Sequence, residues 1–496
     1  MIRQLFDLSI RALLAAGLPV ALAGCAVGPD FQRPAAPSAQ TYGQAATNVN
    51  DTSQKLVASM DIPGQWWTLF HSEPLNALVD DALKHNADTE AAHAALQAAW
   101  EAVYAQRGAY FPQVNGSVNP TRQDVAHDVA SGVASNASLY SLTTAQVSVS
   151  YAPDIWGLNR RQVESLVAQA DAQRFQLEAT YLTLTSNVVN AAVQEAALRA
   201  QIALTHQIID AQAAMLTTLR RQQALGDVSD ALVAAQEATL EQSRATLPPL
   251  DKQLAQQRDL LAVLTGRTPD QQIDATFELA TLQLPAELPL SLPAQLVEQR
   301  PDVRAAAAQL HSASAQVGVA IANRLPNVQI DASFGHASET MGRLFGAGTG
   351  FWSVGASVTQ PLLDGGTLKH RQRAAEATYR QAAAQYRSTV LGAMQNVADT
   401  LHAIDADARA LTSTMQTERS TARSLDIARR QLALGDVSEN TMLNAQVAWQ
   451  QAALGEVQAR AARYADTVAL FQALGGGWWH RKDADEVASS PRDASP

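Results

Sequence analysis

The chain repeats itself, and the repeated unit contains a helix longer than a compact domain has room for. RQQALGDVS at residues 221–229 returns as RQLALGDVS at 430–438, an offset of 209. YAPDIWG at 151–157 is echoed at that offset by QPLLDGG at 360–366, and FPQV at 111–114 returns as LPNV at 325–328, an offset of 214. Two copies, about 75–265 and 295–475, are joined by a Pro-rich connector, and two are too few for a solenoid. Ahead of each GDVS, Asn159–Leu225 has neither Pro nor Gly, and Leu368–Leu434 is interrupted only by Gly392. At 1.5 Å per residue each stretch predicts roughly 100 Å of helix. In the first, positions 177, 181, 184, 188, 191, 195, 198, 202, 205, 209, 212, 216 and 219 alternate spacings of four and three. They form a coiled-coil stripe with polar gaps at Glu195, Thr205 and Gln212. Gaps and many alanines predict shallow packing between long neighbours instead of one thick core.

Both long runs break at Gly-Asp-Val-Ser. Glycine ends one helix and Asp or Ser caps the next, so Gly226, Asp227, Val228 and Ser229, with Gly435, Asp436, Val437 and Ser438, are expected at tight tips between paired helices. The returning helices run from 229 to about 264 and from 438 to about 474, and Pro248-Pro249 must kink or interrupt the first. Ala-rich helical runs at 80–108 and 300–323 lead into strand alternation. Val114, Gly116 and Val118 alternate with polar residues, as do Val147, Val149 and Tyr151. The second unit places Val328, Ile330, Ala332 and Phe334, then Trp352, Val354, Ala356 and Val358, on one side of its strands. Two hairpins with long loops result. Alternation alone does not tell a soluble core from lipid, but strands of about 9–11 residues have the length a tilted membrane strand needs. Four membrane strands cannot close a barrel, so subunits must share one. Two chains would give eight strands with a mostly filled interior, and three would give twelve with room for a lumen.

The amino terminus supplies an address. Arg3 and Arg11 flank a short segment, residues 12–24 are apolar or small, and Cys25 follows. That length is short of a bilayer span and reads as an export signal. Leu22-Ala23-Gly24-Cys25 has the form cut by the lipoprotein signal peptidase, which predicts a diacylglyceryl thioether and an N-acyl, palmitate-type chain on Cys25 as the only covalent additions. Ala26 in place of an aspartate favours outer-membrane delivery. Residues 1–24 are thus a signal peptide and 25–60 a lipidated, extended leader without sustained periodicity. The first repeat spans 61–266, with a strand hairpin at 112–151 and a helical pair at 159–265. A connector at 267–294 precedes the second repeat at 295–475, with its hairpin at 326–360 and helical pair at 368–474. Residues 476–496 are expected to be a mobile tail.

Charge and composition exclude other classes. Lys and Arg number 36 against 47 Asp and Glu, a net −11, which disfavours nucleic acid. One cysteine excludes an intramolecular disulfide or a Cys-rich metal site. His85 and His93 lack companions for a metal, Gly475-Gly476-Gly477 lacks the ending of a phosphate loop and reads as a helix terminator, and there is no Gly-x-Ser-x-Gly elbow. Neither a catalytic residue nor a cofactor site is expected. Trp66-Trp67 is read as anchoring the leader to the body, while Trp156 belongs either to an interfacial aromatic belt or to the packing of its turn.

Cys25-Ala26-Val27-Gly28-Pro29-Asp30-Phe31 with Pro34 resembles the mature start of the outer-membrane factor family, the TolC-like channels, in its lipoprotein branch. Trp66-Trp67, Phe70, Pro74-Leu75, Leu78-Val79, Ala82-Leu83 and Asn86 are similar to that family's early helical signature. Arg300-Pro301-Asp302-Val303-Arg304 resembles the start of its second repeat, and the Leu-Gly-Asp-Val-Ser turns its helix–helix tips. Pro153 and Thr89 depart from its usual residues. The resemblance covers nearly the whole mature chain. It implies a homotrimer in the cell outer membrane, with a twelve-stranded β-barrel, a periplasmic α-barrel of twelve helices and a mixed equatorial belt that includes the connector. It also implies a periplasmic adaptor meeting the tips, an inner-membrane pump of the resistance-nodulation-division type, and passive conduction of drugs or other small compounds without chemistry. The competing reading is a lipid-anchored coiled-coil scaffold without a pore; a lipoprotein hydrolase is weaker, because no convergent catalytic cluster is declared.

Overall fold

The computed structural model describes residues 26–35, 38–39, 41–42, 54–126, 128, 132–133, 135–291 and 293–481. The signal peptide, Cys25 and residues 482–496 lie outside the described residues. The chain forms two compact units. One gathers the segment up to Pro34 with Leu96–Gln173 and Ala306–Tyr386; the other gathers Ala35–Ala95, Arg174–Ala305 and the segment from Arg387.

The first unit is built on a four-stranded antiparallel sheet in the order β2-β3-β5-β6, comprising β2 (Gln113–Asp124), β3 (Leu139–Tyr151), β5 (Asn327–Ser338) and β6 (Gly350–Thr359). Each repeat contributes one hairpin, and the return strand of the first pairs with the outgoing strand of the second, Val147 opposite Phe334. The unit also holds most of α2 (Ala87–Arg107), nearly all of α7 (Pro301–Ala322) and the starts of two very long helices, α3 (Leu158–Leu225) and α8 (Thr367–Leu434). Both long helices have 68 residues, and their first residues are 209 apart. Uncharged polar groups bridge α3 and α7 at one level: Ser165 and Ser312 hydroxyls lie 2.8 Å apart, and Gln316 donates to Ser165 at 2.8 Å. A chain with only 17% charged residues builds its contacts from such groups.

The second unit has a dense aromatic and aliphatic core. Trp66 stacks on Phe471 with ring centroids 5.2 Å apart and meets Phe70 edge-on, and Leu75, Leu177, Phe277 and Leu288 are fully buried in the same unit. Trp66-Trp67 therefore joins the segment after the leader to α9 (Glu439–Ala473). The Ala-rich run predicted at 80–108 is two helices, α1 (Glu73–His85) and α2, because Asn86 stops the first and caps the second. Its Oδ1 accepts from the Asp88 and Thr89 amides at 3.0 and 3.3 Å, which buries the atypical Thr89.

The structure departs from the sequence-based expectations at four places. The leader is not extended coil to residue 60: β1 (Lys55–Ala58) pairs in parallel with β4 (Glu287–Leu290) of the connector. Buried Gln54 secures it by donating to the Pro285 carbonyl at 3.0 Å. The connector is thus part of a small sheet, and it ends in a helix, α6 (Pro293–Gln299), that begins before residue 295. Nor does the tail begin at 476. Gly475, Gly476 and Gly477 all have positive φ, and a Cβ on Gly477 would lie 2.5 Å from the Ile62 carbonyl oxygen. The chain continues through a short 3-10 turn at Trp478–His480, Trp478 packs edge-on against Phe175, and Arg481 lies 3.8 Å over the Tyr181 ring. Finally, the packing of α3 is not shallow throughout. The stripe is buried except at Tyr181 and Ile202, which are half-buried. Around it, Ser186, Val189, Ala192, Val193 and Ala196 are also fully buried. Successive helical residues turn by about 100°, so burial of neighbours such as Ala191, Ala192 and Val193 covers most of the circumference. Small side chains produce this by letting other elements approach closely, with Thr183, Asn187 and Gln194 left exposed on the remaining face.

Candidate functional site: the strand sheet and the helical tips

The residues that alternate in the sequence share one face of the sheet. The register aligns Val114, Val149, Ala332 and Val354 across the four strands, and Gly116, Val147, Phe334 and Trp352 in the next row. This face is open: Val114, Phe334, Trp352 and Val354 are 65%, 61%, 76% and 70% exposed. A continuous apolar patch of this kind is unstable in water and suited to lipid. The opposite face carries Asn115, Ser148, Ser333 and Ser353 in one row, and the last two hydroxyls are 2.7 Å apart. Phe351, next to Gly335, and Leu142, opposite Thr121, are large apolar side chains on that same side. The outer edges of β2 and β6 have no partner strand among the described residues.

An aspartate fixes each passage from strand to long helix. Asp154 accepts from the amides of Asn159 and Arg160 at 2.9 and 2.8 Å, and Asp364 accepts from Leu368 and Gly366 at 2.7 and 2.9 Å. The Leu368 and Gly366 amides hold the Asp364 carboxyl below its ordinary pKa. These partners are 210 apart, one step off the offset of the helices, so the echo between 151–157 and 360–366 aligns the turns imperfectly. Trp156 packs its turn by donating its indole N–H to the Pro326 carbonyl at 2.8 Å.

At the other end of the long helices, Gly226 and Gly435 take φ of +83° and +79°. Gly226 N–H bonds Gln223 O and Asp227 N–H bonds Gln222 O, both at 2.9 Å. The same pair recurs from Gly435 to Leu432 and from Asp436 to Gln431, a Schellman closure that satisfies the last carbonyls of each helix. Asp227 and Asp436 thus act here through their backbones. Ser438 caps α9 by accepting from the Thr441 amide at 3.4 Å, whereas Ser229 makes no side-chain cap to α4 (Asp230–Ala245). Val228 and Val437 are half-buried, the first against the cluster of Ile209, Leu216, Leu219, Val233 and Leu240. The apolar groups presented outward at the tips are Leu225 and Leu434, 78% and 77% exposed. Their signal in the sequence was the large aliphatic placed immediately before each glycine. Pro248 and Pro249 fall in the first turn of α5 (Leu247–Leu264), so the returning helix breaks at Thr246.

Buried polar groups elsewhere are structural. Glu195 is fully buried with Arg199 and Arg258 at 2.7 and 2.9 Å, and Arg300 of the RPDVR motif donates to the Ala473 carbonyl at 2.9 Å while pairing with Asp302. His85 bonds Asp81 and His93 bonds Tyr181. Among the described residues no group of three or more His, Cys, Asp or Glu is placed to hold a metal, and no helix is long and apolar enough to cross a membrane.

A sheet with one apolar open face, joined to paired long helices, is the architecture of TolC-like outer-membrane channels. The family described as outer membrane efflux protein matches residues 78–267 and 292–476, and the chain belongs to it. A toluene efflux pump outer membrane protein, TtgC of Pseudomonas putida, is 28% identical over 498 residues, covering 99% of both chains. Outer membrane protein OprJ of Pseudomonas aeruginosa is 28% identical over 95% of this chain and 96% of its own. The solved CmeC outer membrane channel of Campylobacter jejuni superposes with a TM-score of 0.85 at 21% identity, over 94% of this chain and 98% of its own. The chain is an outer-membrane efflux protein with the TolC-like fold.

Proposed function

We propose that three copies of this chain form the outer-membrane conduit of a tripartite efflux system, through which small compounds pass after delivery by a periplasmic adaptor and an energised inner-membrane pump of the resistance-nodulation-division type. The sheet carries the reading. Four strands with an outward apolar face and two open edges are not a stable end state in lipid, and three such sheets joined edge to edge make twelve strands around a lumen lined by Asn115, Ser148, Ser333 and Ser353. The names of the relatives, a toluene efflux pump component among them, support a role in export of small molecules. A lipid-anchored scaffold without a pore has no use for the one-sided sheet.

On this reading the tips dock the adaptor. Gly226, Asp227, Gly435 and Asp436 make sharp reversals, Ser229 and Ser438 start the returning helices, and Leu225 and Leu434 offer the apolar contact, with Val228 and Val437 supporting them from inside each coil. Cys25 carries the diacylglyceryl and N-acyl groups. The test is dye extrusion in cells supplying adaptor and pump but lacking their own outer-membrane channel. Leu225→Glu with Leu434→Glu is expected to abolish extrusion and adaptor crosslinking while the protein still reaches the outer membrane in normal amount. Normal extrusion by that double variant would remove the tips from the docking role.

A further inference from the structure

The stretch after Cys25 is held by contacts that a passive tether does not need. Val27 N–H donates to the Trp156 carbonyl at 3.1 Å. Arg161, 3% exposed, donates Nε to the Val27 carbonyl at 3.0 Å, and Nη2 to the Gly28 carbonyl at 3.3 Å and to Asp30 Oδ1 at 2.8 Å. Its Nη1 pairs with Glu164 at 2.7 Å, Glu164 Oε1 lies 3.0 Å from His311 Nε2, and Phe31 stacks on the His311 ring with centroids 4.4 Å apart. Asp30 and Phe31 thus grip the two ends of one connected set, Arg161–Glu164–His311. Backbone approach closes the seat from below. Gly28 has φ of +99°, and a Cβ there would lie 2.5 Å from Gly318 Cα; a Cβ on Gly157 would lie 2.7 Å from Ala26 Cα. All these residues belong to the sheet-bearing unit.

The seat ends one residue from the sulfur. Ala26 lies against Gly157, the residue that follows Trp156. Beside it Ile155 and Trp156 stand 41% and 36% exposed, at the rim of a cleft with Leu158, Leu325 and Pro326 just past the end of β3. We propose that Arg161, Glu164, His311 and the glycines at 157 and 318 form a receptor for residues 26–31, and that the acyl chains on Cys25 cover Ile155 and Trp156. Arg161 is its positioning residue. The inference rests on the lipidation of Cys25 and adds a place for it. Chains attached through a free leader would leave the height of the sheet in the membrane undetermined. Seated ones enter the leaflet at the level where the strands leave it.

Photocrosslinking in intact outer membranes tests this on the full chain, with p-benzoylphenylalanine at position 155 and metabolic acyl labelling read in parallel. The expected product is a crosslink to the labelled amino-terminal peptide, falling at least tenfold in Gly28→Ala and in Phe31→Ala. Both variants alter only the seated stretch and leave the helices intact, so folding failure does not confuse them. Arg161→Lys, which keeps the charge but loses the forked geometry, is expected to lie between. Crosslinks to free phospholipid alone, or a yield unchanged in Gly28→Ala, overturn the receptor. A crosslinked but unlabelled terminus refutes acyl coverage and the lipidation of Cys25 while sustaining the seat.

Discussion

The two repeats use the same helical stripe with different chemistry. Leu177, Leu184, Val188, Leu216 and Leu219 of α3 are buried, and so are their counterparts 209 residues on, Tyr386, Ala393, Val397, Leu425 and Ala428 of α8. Between them, Glu195 with its two arginines occupies the place that Ile404 fills in the second repeat, and both are fully buried. One stripe position thus accepts an ion-paired carboxylate or an aliphatic group, provided the surroundings match. Arg258 reaches Glu195 from α5 and also donates to the Ile273 carbonyl at 2.6 Å. Spacing sets where the helices touch, and the neighbouring elements decide what can stand there. The hairpins differ in the same way: the first presents valines outward at 114, 118 and 147, the second Phe334 and Trp352.

The largest expected effect comes from breaking the buried pair. Glu195→Ala removes the buried carboxylate that Arg199 and Arg258 share and is expected to cost about 3–5 kcal/mol, read as loss of assembled protein after mild heating. Glu195→Ile copies the second repeat but strands Arg258, so it is expected to be rescued in large part by adding Arg258→Leu. Failure of that rescue would show that the two stripe positions are not equivalent. Next in size is a charge on the outward face. Val147→Arg and Phe334→Arg, neighbours in one row, are each expected to cost roughly 2–4 kcal/mol in the bilayer, with the second larger because it also removes an aromatic ring. Ser333→Arg on the opposite face is expected to leave assembly intact, as outer-membrane yield would report.

The tips give a smaller contrast. Ser438→Ala removes a cap and is expected to cost about 1 kcal/mol locally, while Ser229→Ala is expected to change almost nothing; amide exchange at Thr441 and Val233 reads the difference. Equal effects would mean that both serines cap in the assembled protein. The smallest effect concerns Asp466 on α9. Burial, with Asp407 beside it and Arg463 opposing, raises its pKa from 3.8 to about 7. The folded protein therefore keeps a proton that the unfolded chain has lost, and this contribution to stability is full below about pH 4 and gone above pH 7. Because the carboxyl keeps some contact with water, Asp466→Asn is expected to raise the melting midpoint at pH 8 by only about 1–2 °C, and to flatten its fall between pH 5 and 8. An unchanged pH profile would contradict the assignment.

Much of this was legible in the sequence because periodicity survives where one face is buried or greasy. Val114, Val147, Phe334 and Trp352 announce their shared face, and the stripe from 177 to 219 announces the coil. What escaped depends on partners distant in sequence. Lys55–Ala58 is too short to show a period, and its partner β4 begins at Glu287. GGGWWH after α9 has the composition of a terminator, and only the approach of Ile62, Leu182 and Gln299 shows why the glycines are needed. At the tips, the glycines and capping residues drew attention from Leu225 and Leu434, since a residue at a helix end gives no sign of whether its side chain turns inward or outward.

In the proposed trimer the four-stranded sheet is one third of a barrel. Native mass measurement of the detergent-extracted full chain, followed by single-particle conductance of the same fraction in planar bilayers, tests it most directly. The expected result is a particle of three copies that conducts ions, and no conductance from any fraction containing one copy. A stable single-copy particle that retains ion conductance would contradict it.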